Sequence, residues 1–365
     1  MNYNIYNFTS KNNDFGSLET LLRTKHCEPL HSFSNEGQLT LIVKNDLSAL
    51  NKEIVELGYM TAEPQSNIII TLINRSIASN QLIKVLEELN TLGLRLSSIQ
   101  RLSGDRQTKE GIKTCYELQA QTSESLSELR AKLKNVIETL QIDICVIPAD
   151  TKRQEIKLAV FDMDSTLIQC ECIDELAKRH NIGDQVSSIT AAAMRGELNF
   201  NESFTQRMAL LEGLSEDVLL DIGENLPLTE GVEYLIKKLK EHGYKIALFS
   251  GGFYYFANIL KAKLGIDHVY ANNLPIHNGS VTGQVEGVIV DGQKKKERLK
   301  HVAELEGLKL SQTVAVGDGA NDLPMIGLAG LGVAFHAKPL VREQAGLAVS
   351  TVGLDGLLYI LGIRD

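Results

Sequence analysis

The sequence predicts an α/β protein in which a doubly wound parallel sheet with an inserted helical cap follows a smaller α+β domain. Three observations carry that prediction. From Ile156 onward, short β-rich apolar runs such as "KIALFSGG", "TVAVGDG" and "LGVAFHA" each precede a stretch of 3.6-residue apolar period, the pattern of parallel strands joined by crossover helices. The first of these strands ends near Asp162 and the next at Ser250, almost ninety residues on. A βα unit needs only about thirty, so something is inserted. Upstream, residues 67–150 run strand, helix, strand, strand, helix, strand. These patterns describe a Rossmann-like layer over 155–365 and a ferredoxin-like βαββαβ domain over 67–150.

Taken in chain order, the first fifteen or so residues are expected to lack fixed structure. Within 1–66, "GQLTLIVKND" reads as a strand and "LSALNKEIVELG" as a helix, half of a second module of the same kind. The βαββαβ elements follow as "NIIITLINR", "SNQLIKVLEELNTLG", "RLSSIQRLS", "KTCYELQAQ", "SESLSELRAKLKNVIETL" and "IDICVIPAD", with "ADTKRQE" as a polar junction. The helical runs "IDELAKRH", "SSITAAAMRGEL" and "NESFTQRMALLEGL" place the cap at about 172–226, over the strand ends. In "LPIHNGSVTGQVEGVIV", Asn278-Gly279 between strand-like runs predicts a two-residue hairpin decorating the sheet edge.

With 365 residues, 43% of them hydrophobic, the chain can bury a core for two or three domains. No apolar run approaches the roughly 18 residues of a membrane span, and no basic-then-apolar leader opens the chain, so a cytoplasmic address is expected. Five cysteines, an odd number without paired-metal spacing, argue against a disulfide framework. The formal charge of -9 offers no general attraction to nucleic acid or an anionic membrane. An anionic ligand must therefore be held by local groups.

Such groups occur at three strand ends. In "AVFDMDSTLIQCEC", Asp162 and Asp164 stand at i and i+2, on one side of an extended chain, where open α/β sheets bind ligands. Two converging carboxylates need a cation between them, most simply Mg²⁺, a hard ion that also takes a phosphate oxygen. Asp318, Asn321 and Asp322 of "VAVGDGAND" supply further oxygen ligands after another strand. "FSGGF" offers the Ser250 hydroxyl and the amides of Gly251 and Gly252, a cradle for phosphate oxygens. Lys295 precedes a helix and can reach the same anion, with Lys294 and Lys296 as alternatives one residue away.

At these residues the sequence resembles the haloacid dehalogenase superfamily, whose D-x-D-x-T signature stands here as "DMDST", and within it the branch acting on phosphoserine. The resemblance covers residues 155–365 and implies the haloacid dehalogenase fold. It implies that Asp162 is a nucleophile forming an aspartyl phosphate, and that Asp164 is a general acid and then base. Asp318 and the Asp164 backbone carbonyl would join Asp162 on the metal, with Asn321 and Asp322 in support. Ser250, Gly251 and Lys295 would hold the transferring oxygens. For substrate choice, the resemblance assigns Glu171 to an ammonium and Arg207 to a carboxylate, with Phe200 and Met194 as an apolar shield.

Residues 67–150 are similar in element order to the regulatory ACT domains, which implies a dimerising role; "NRSIASNQ" lacks the glycine such domains carry after their first strand, where effector binds, which speaks against effector binding here. Cys170 and Cys172 flank Glu171, but two sulfurs cannot complete a zinc site, so packing is the expectation. The expected activity is hydrolysis of phosphoserine to serine and phosphate, the last step of serine synthesis. Its rivals are a phosphatase or phosphotransferase for another small ester, and a non-catalytic serine or phosphoserine sensor.

Overall fold

The computed structural model describes residues 4–9, 15–27, 31–35, 38–43, 50, 60–61, 66–104, 106–108 and 111–364. The chain forms two compact units, Met1–Thr151 with Tyr359–Asp365, and Lys152–Leu358.

The first unit holds two antiparallel sheets. Strands β1 (Asn4–Thr9), β2 (His31–Asn35), β3 (Gln38–Val43) and β4 (Met60–Thr61) pair in the order β2-β3-β1-β4. Strands β5 (Ile68–Asn74) and β6 (Arg95–Arg101) come next, then a small ribbon of β7 (Gln107–Thr108) and β8 (Gly111–Ile112), then β9 (Thr114–Gln121) and β10 (Asp143–Pro148). Their main sheet runs β10-β5-β9-β6. Counted within each sheet, both orders read fourth, first, third, second, the ferredoxin-like arrangement. The first sheet thus has four strands rather than the half module expected, and Asn4–Thr9 is strand where disorder was expected. The reason is local. Tyr6 and Phe8, two residues apart, fall on one face of the strand, and Phe8 is buried with Leu18, Leu22, Leu39 and Leu41. The helix expected in "LSALNKEIVELG" falls, apart from Leu50, outside the described residues.

In the second sheet Ile68, Ile70 and Leu72 alternate onto one face, against Leu82, Val85, Leu86 and Leu89 of the helix Ser79–Thr91 and Leu129, Leu133 and Val136 of the helix Leu126–Leu140. Ser125 starts the latter with reciprocal hydrogen bonds: its hydroxyl accepts from the Glu128 amide, and the Glu128 carboxylate accepts from the Ser125 amide. The end of the chain belongs here too, with Arg364 donating to the Gln100 side chain at 2.7 Å. Tyr359–Asp365 thus groups with the first unit and not with the parallel sheet.

The second unit is a six-stranded parallel sheet. Its strands are β11 (Leu158–Phe161), β12 (Lys245–Phe253), β13 (His268–Asn272), β16 (Thr313–Gly317), β17 (Leu331–Phe335) and β18 (Ala348–Val349), with a hairpin of β14 (Ile276–His277) and β15 (Ser280–Val281) between β13 and β16. The order β13-β12-β11-β16-β17-β18 reverses direction between β11 and β16, the switch point where such sheets leave a crevice at their carboxyl ends. Residues 158–161 and 246–250 are buried throughout, which is why these strands read as unbroken apolar runs.

Between β11 and β12 lie the helices Cys172–Arg179, Gly183–Met194, Phe200–Ala209 and Glu216–Glu224, before the crossover helix Val232–Glu241. The hairpin turns through Asn278 and Gly279, both at positive φ. It bonds through its backbone to the loop before the last cap helix: Gly213 donates to Val281, Val281 to Leu214, and Glu216 to Gly279, at 2.8–2.9 Å. It fastens the cap rather than decorating the sheet. No helix among the described residues is long and apolar enough to cross a membrane.

Phe249, unexposed on β12 and edge-on to Tyr270, makes a simple test of this core. Truncation to alanine should cost roughly 3–5 kcal/mol, read as a lower urea midpoint for the second unit.

Candidate active site

Asp162 follows β11 directly, its amide donating to the Val316 carbonyl at 3.0 Å. The next turn is unusual. Ser165 takes φ +56, a left-handed conformation rare for a residue other than glycine, so the chain doubles back after Asp164. The Ser165 amide then donates to the Cys170 carbonyl at 3.2 Å and its hydroxyl to Glu171 Oε1 at 2.8 Å. The Asp164 carboxylate accepts from the Cys172 amide, at the start of the first cap helix, at 2.8 Å. Ser250, in the carboxyl-terminal half of β12, gives it a longer contact of 3.4 Å.

Two other segments close the group. The Gly252 amide donates to Ser250 Oγ at 2.8 Å, and a Cβ on Gly252 would stand 2.5 Å from Asp164 Oδ2, so the glycine is required by closeness. Lys295 lies one turn into the helix Gly292–Leu305, which Asp291 caps by accepting from the Lys294 amide at 2.8 Å. Its Nζ is fully buried and donates to Asp162 Oδ1 at 2.6 Å and Asp322 Oδ1 at 2.7 Å. Lys294 instead pairs with Glu297 at the surface, so of these two lysines Lys295 is the one at the site. Asp322 Oδ2 accepts from the Gly319 amide at 3.0 Å, and Asp318 Oδ1 lies 3.4 Å from the Thr166 hydroxyl.

Four carboxylates therefore crowd one ammonium. Burial first, and Asp322 second, push the Asp162 carboxyl well above its ordinary range, with Lys295 opposing. Asp164 is raised by burial against the pull of its hydrogen bonds from Cys172, and Asp318 is pushed up to about 6, by burial and then by Asp322. Burial alone would lower Lys295, but Asp162 and Asp322 outweigh it and hold the lysine above its usual value. Carboxylate oxygens of Asp162, Asp318 and Asp322 lie within 4.8 Å of one another. Hard oxygen donors in excess of positive charge fit a hard divalent cation. Asp322 has one oxygen on Lys295 and the other on Gly319, so Asp162 and Asp318 are the better placed to ligate, with Asp322 behind them.

The cap residues divide. Glu171 precedes the first cap helix without a side-chain capping bond, and its carboxyl is pushed up to about 7 by desolvation and then by Asp164. Arg207 is half-buried; desolvation lowers its pKa while Asp174, Glu171 and Asp164 oppose that shift. Phe200 packs on the glycine turn, its ring 2.9 Å from where a Cβ on Gly251 would stand. Met194 does not join them: it ends its helix 68% exposed, with its sulfur 3.8 Å from Lys338 Nζ. Its expected shielding role is corrected, since the helix terminus turns the side chain outward. Asn321 is half-buried in the turn between Asp318 and Asp322. Sequence reasoning missed Thr166 and the Cys172 amide. Thr166 is visible as the last residue of "DMDST"; a backbone donor has no sequence signal.

Two outcomes follow from this geometry. Gly252→Ala should displace the Asp164 carboxyl and lower kcat on the order of tenfold or more, with circular dichroism unchanged. Asp318 binds a proton more readily in the folded than in the unfolded state, so its contribution to the stability of the metal-free protein is lost as pH rises from about 4 through about 6, and Asp162, raised in the same direction, adds a loss of the same sign. A divalent cation should therefore raise the melting temperature more at about pH 7 than at about pH 5; equal shifts in EDTA-controlled scans would contradict the acid cluster as its site.

A haloacid dehalogenase-like hydrolase profile matches residues 156–330. The phosphoserine phosphatase of Archaeoglobus fulgidus is 46% identical over 235 residues, 64% of this chain and 68% of that protein. Among solved structures, a haloacid dehalogenase family hydrolase from Salmonella enterica superposes with TM-score 0.71 at 30% identity, covering 80% of this chain and 98% of its own. A probable phosphoserine phosphatase from Vibrio cholerae, unliganded, gives 0.66 at 33% identity, covering 82% and 88%. With the acid pair, glycine turn, buried lysine and second acid pair assembled at one switch point, the chain belongs to the haloacid dehalogenase-like hydrolase family.

Proposed function

We propose that the protein is a phosphoserine phosphatase, hydrolysing O-phospho-L-serine to L-serine and phosphate as the final step of serine synthesis. The observation that carries this reading is the convergence of Asp162, Asp164, Ser250 and Lys295 in one buried group, with Glu171 and Arg207 above it. The phosphatases of Archaeoglobus fulgidus and Haemophilus influenzae, each 46% identical, support it.

Asp162 attacks phosphorus, and the departing seryl oxygen takes a proton from Asp164, whose raised pKa favours the protonated form. The resulting aspartyl phosphate is hydrolysed by a water that gives its proton back to Asp164. Lys295 and the Ser250–Gly252 turn hold the oxygens of the moving phosphoryl group. Mg²⁺, held by Asp162, Asp318 and the Asp164 backbone carbonyl, with Asn321 and Asp322 in support, would neutralise phosphate charge when bound. Glu171 pairs with the substrate ammonium and Arg207 with its carboxylate, while Phe200 excludes water.

Phosphate release from L-phosphoserine, measured beside sugar and nucleotide monophosphates with and without Mg²⁺, tests the reading; a preference for the sugar esters would overturn it. Asp162→Asn should abolish turnover, and retention of even about a tenth of the rate would remove it as nucleophile. Arg207→Ala should raise KM for phosphoserine about tenfold while sparing p-nitrophenyl phosphate, which has no carboxylate. Because Glu171 titrates near 7, kcat/KM for phosphoserine should fall as pH drops below about 7, where the carboxyl is neutral. Glu171→Gln should lose that acidic limb.

A further inference from the structure

One buried side chain touches both the glycine turn and the segment leading into the lysine helix. Asn272, the last residue of β13, is 4% exposed. Its Nδ2 donates to the Gly251 carbonyl and its Oδ1 accepts from the Val290 amide, each at 2.8 Å. Both ends of the amide are used, and each partner belongs to a different segment of the site.

Consider the Gly251 side first. The Gly251 carbonyl shares a planar trans peptide with the Gly252 N–H, so the two point in opposite directions. Holding the carbonyl toward Asn272 aims the Gly252 N–H at Ser250 Oγ, 2.8 Å away, and that hydroxyl in turn faces Asp164. The hydroxyl's orientation is thus set from behind. On the other side, Val290 immediately precedes Asp291, the cap of the Lys295 helix, and the Lys295 amide donates to the Asp291 carbonyl at 2.9 Å. Gly251 also has little slack, because its Cβ position lies 2.9 Å from Phe200 and 3.6 Å from the Val290 carbonyl.

We propose that Asn272 is a positioning residue for phosphoryl transfer, locking the Ser250–Gly252 turn to the lysine helix so that hydroxyl, amides and ammonium converge on one phosphoryl group. The assignment rests on the phosphatase reading above, and concerns the phosphoryl half of the site rather than the serine half. An apolar residue could fill the same space in the sheet edge. Only a side chain with a donor at one end and an acceptor at the other can satisfy both backbone groups.

The test compares wild type with Asn272→Asp and Asn272→Ala. Aspartate keeps the shape and the acceptor for Val290 but sets an oxygen against the Gly251 carbonyl; alanine removes both bonds. The expected result is a loss of about tenfold or more in kcat for both L-phosphoserine and p-nitrophenyl phosphate, with a parallel weakening of inorganic phosphate binding. The ratio of kcat/KM between the two substrates should stay within about twofold of wild type, because Glu171 and Arg207 are untouched. Folded variants with unchanged kcat on both substrates would overturn the proposal, as would a loss confined to phosphoserine. If alanine prevents folding, the aspartate variant decides; if neither folds, the role is architectural alone and the proposal is lost. Wild-type protein that cleaves p-nitrophenyl phosphate but not phosphoserine would sink the substrate reading, with the effect on p-nitrophenyl phosphate still deciding the role of Asn272.

Discussion

The site depends on a charge that never meets water. Lys295 is fully buried between Asp162 and Asp322, and each of the three groups would be costly to bury without the others. Because they come from the end of β11, a helix start and the turn after β16, their mutual need forces three distant segments into one register. Asp164 is brought in by different means: a left-handed Ser165 and the Cys172 amide, both local to its own loop. Long-range charge pairing thus sets the floor of the cleft, and short-range backbone geometry sets its wall.

The lysine does not neutralise the acids around it. Asp318 remains pushed up to about 6, and Asp162 is raised despite a direct ammonium contact. In a chain of formal charge -9, nothing at long range draws in a phosphate ester. Attraction must be generated within a few ångströms, by the amides of the glycine turn and by Lys295, at a carboxylate cluster that could itself hold a cation.

Much of this was legible because several of the chemical residues sit toward the carboxyl ends of strands. Asp162, Ser250 and Asp318 all follow or end apolar runs, and parallel strands deliver such residues to one edge. The cap was legible from a spacing too long for a crossover. What could not be read was direction and backbone. An apolar residue at a helix end, such as Met194, carries no mark of which way that end turns. The Cys172 amide contributes a hydrogen bond that any residue except proline could supply. In the first unit, β1 was obscured by its asparagines, and only the alternation of Tyr6 and Phe8 betrays a half-buried strand. Asp322 was assigned a supporting part, and its two oxygens prove to be spoken for by Lys295 and Gly319.

The hairpin over 276–281 gives the cap an asymmetry. Three backbone hydrogen bonds join it to residues 213–216, so the hairpin and this part of the cap are held as one piece. The loop that follows the Arg207 helix is thereby braced by a segment far from it in the chain. Shape at that edge of the cap is set by the hairpin's register, Ile276 opposite Val281, and a one-residue slip there would shift the loop behind Arg207.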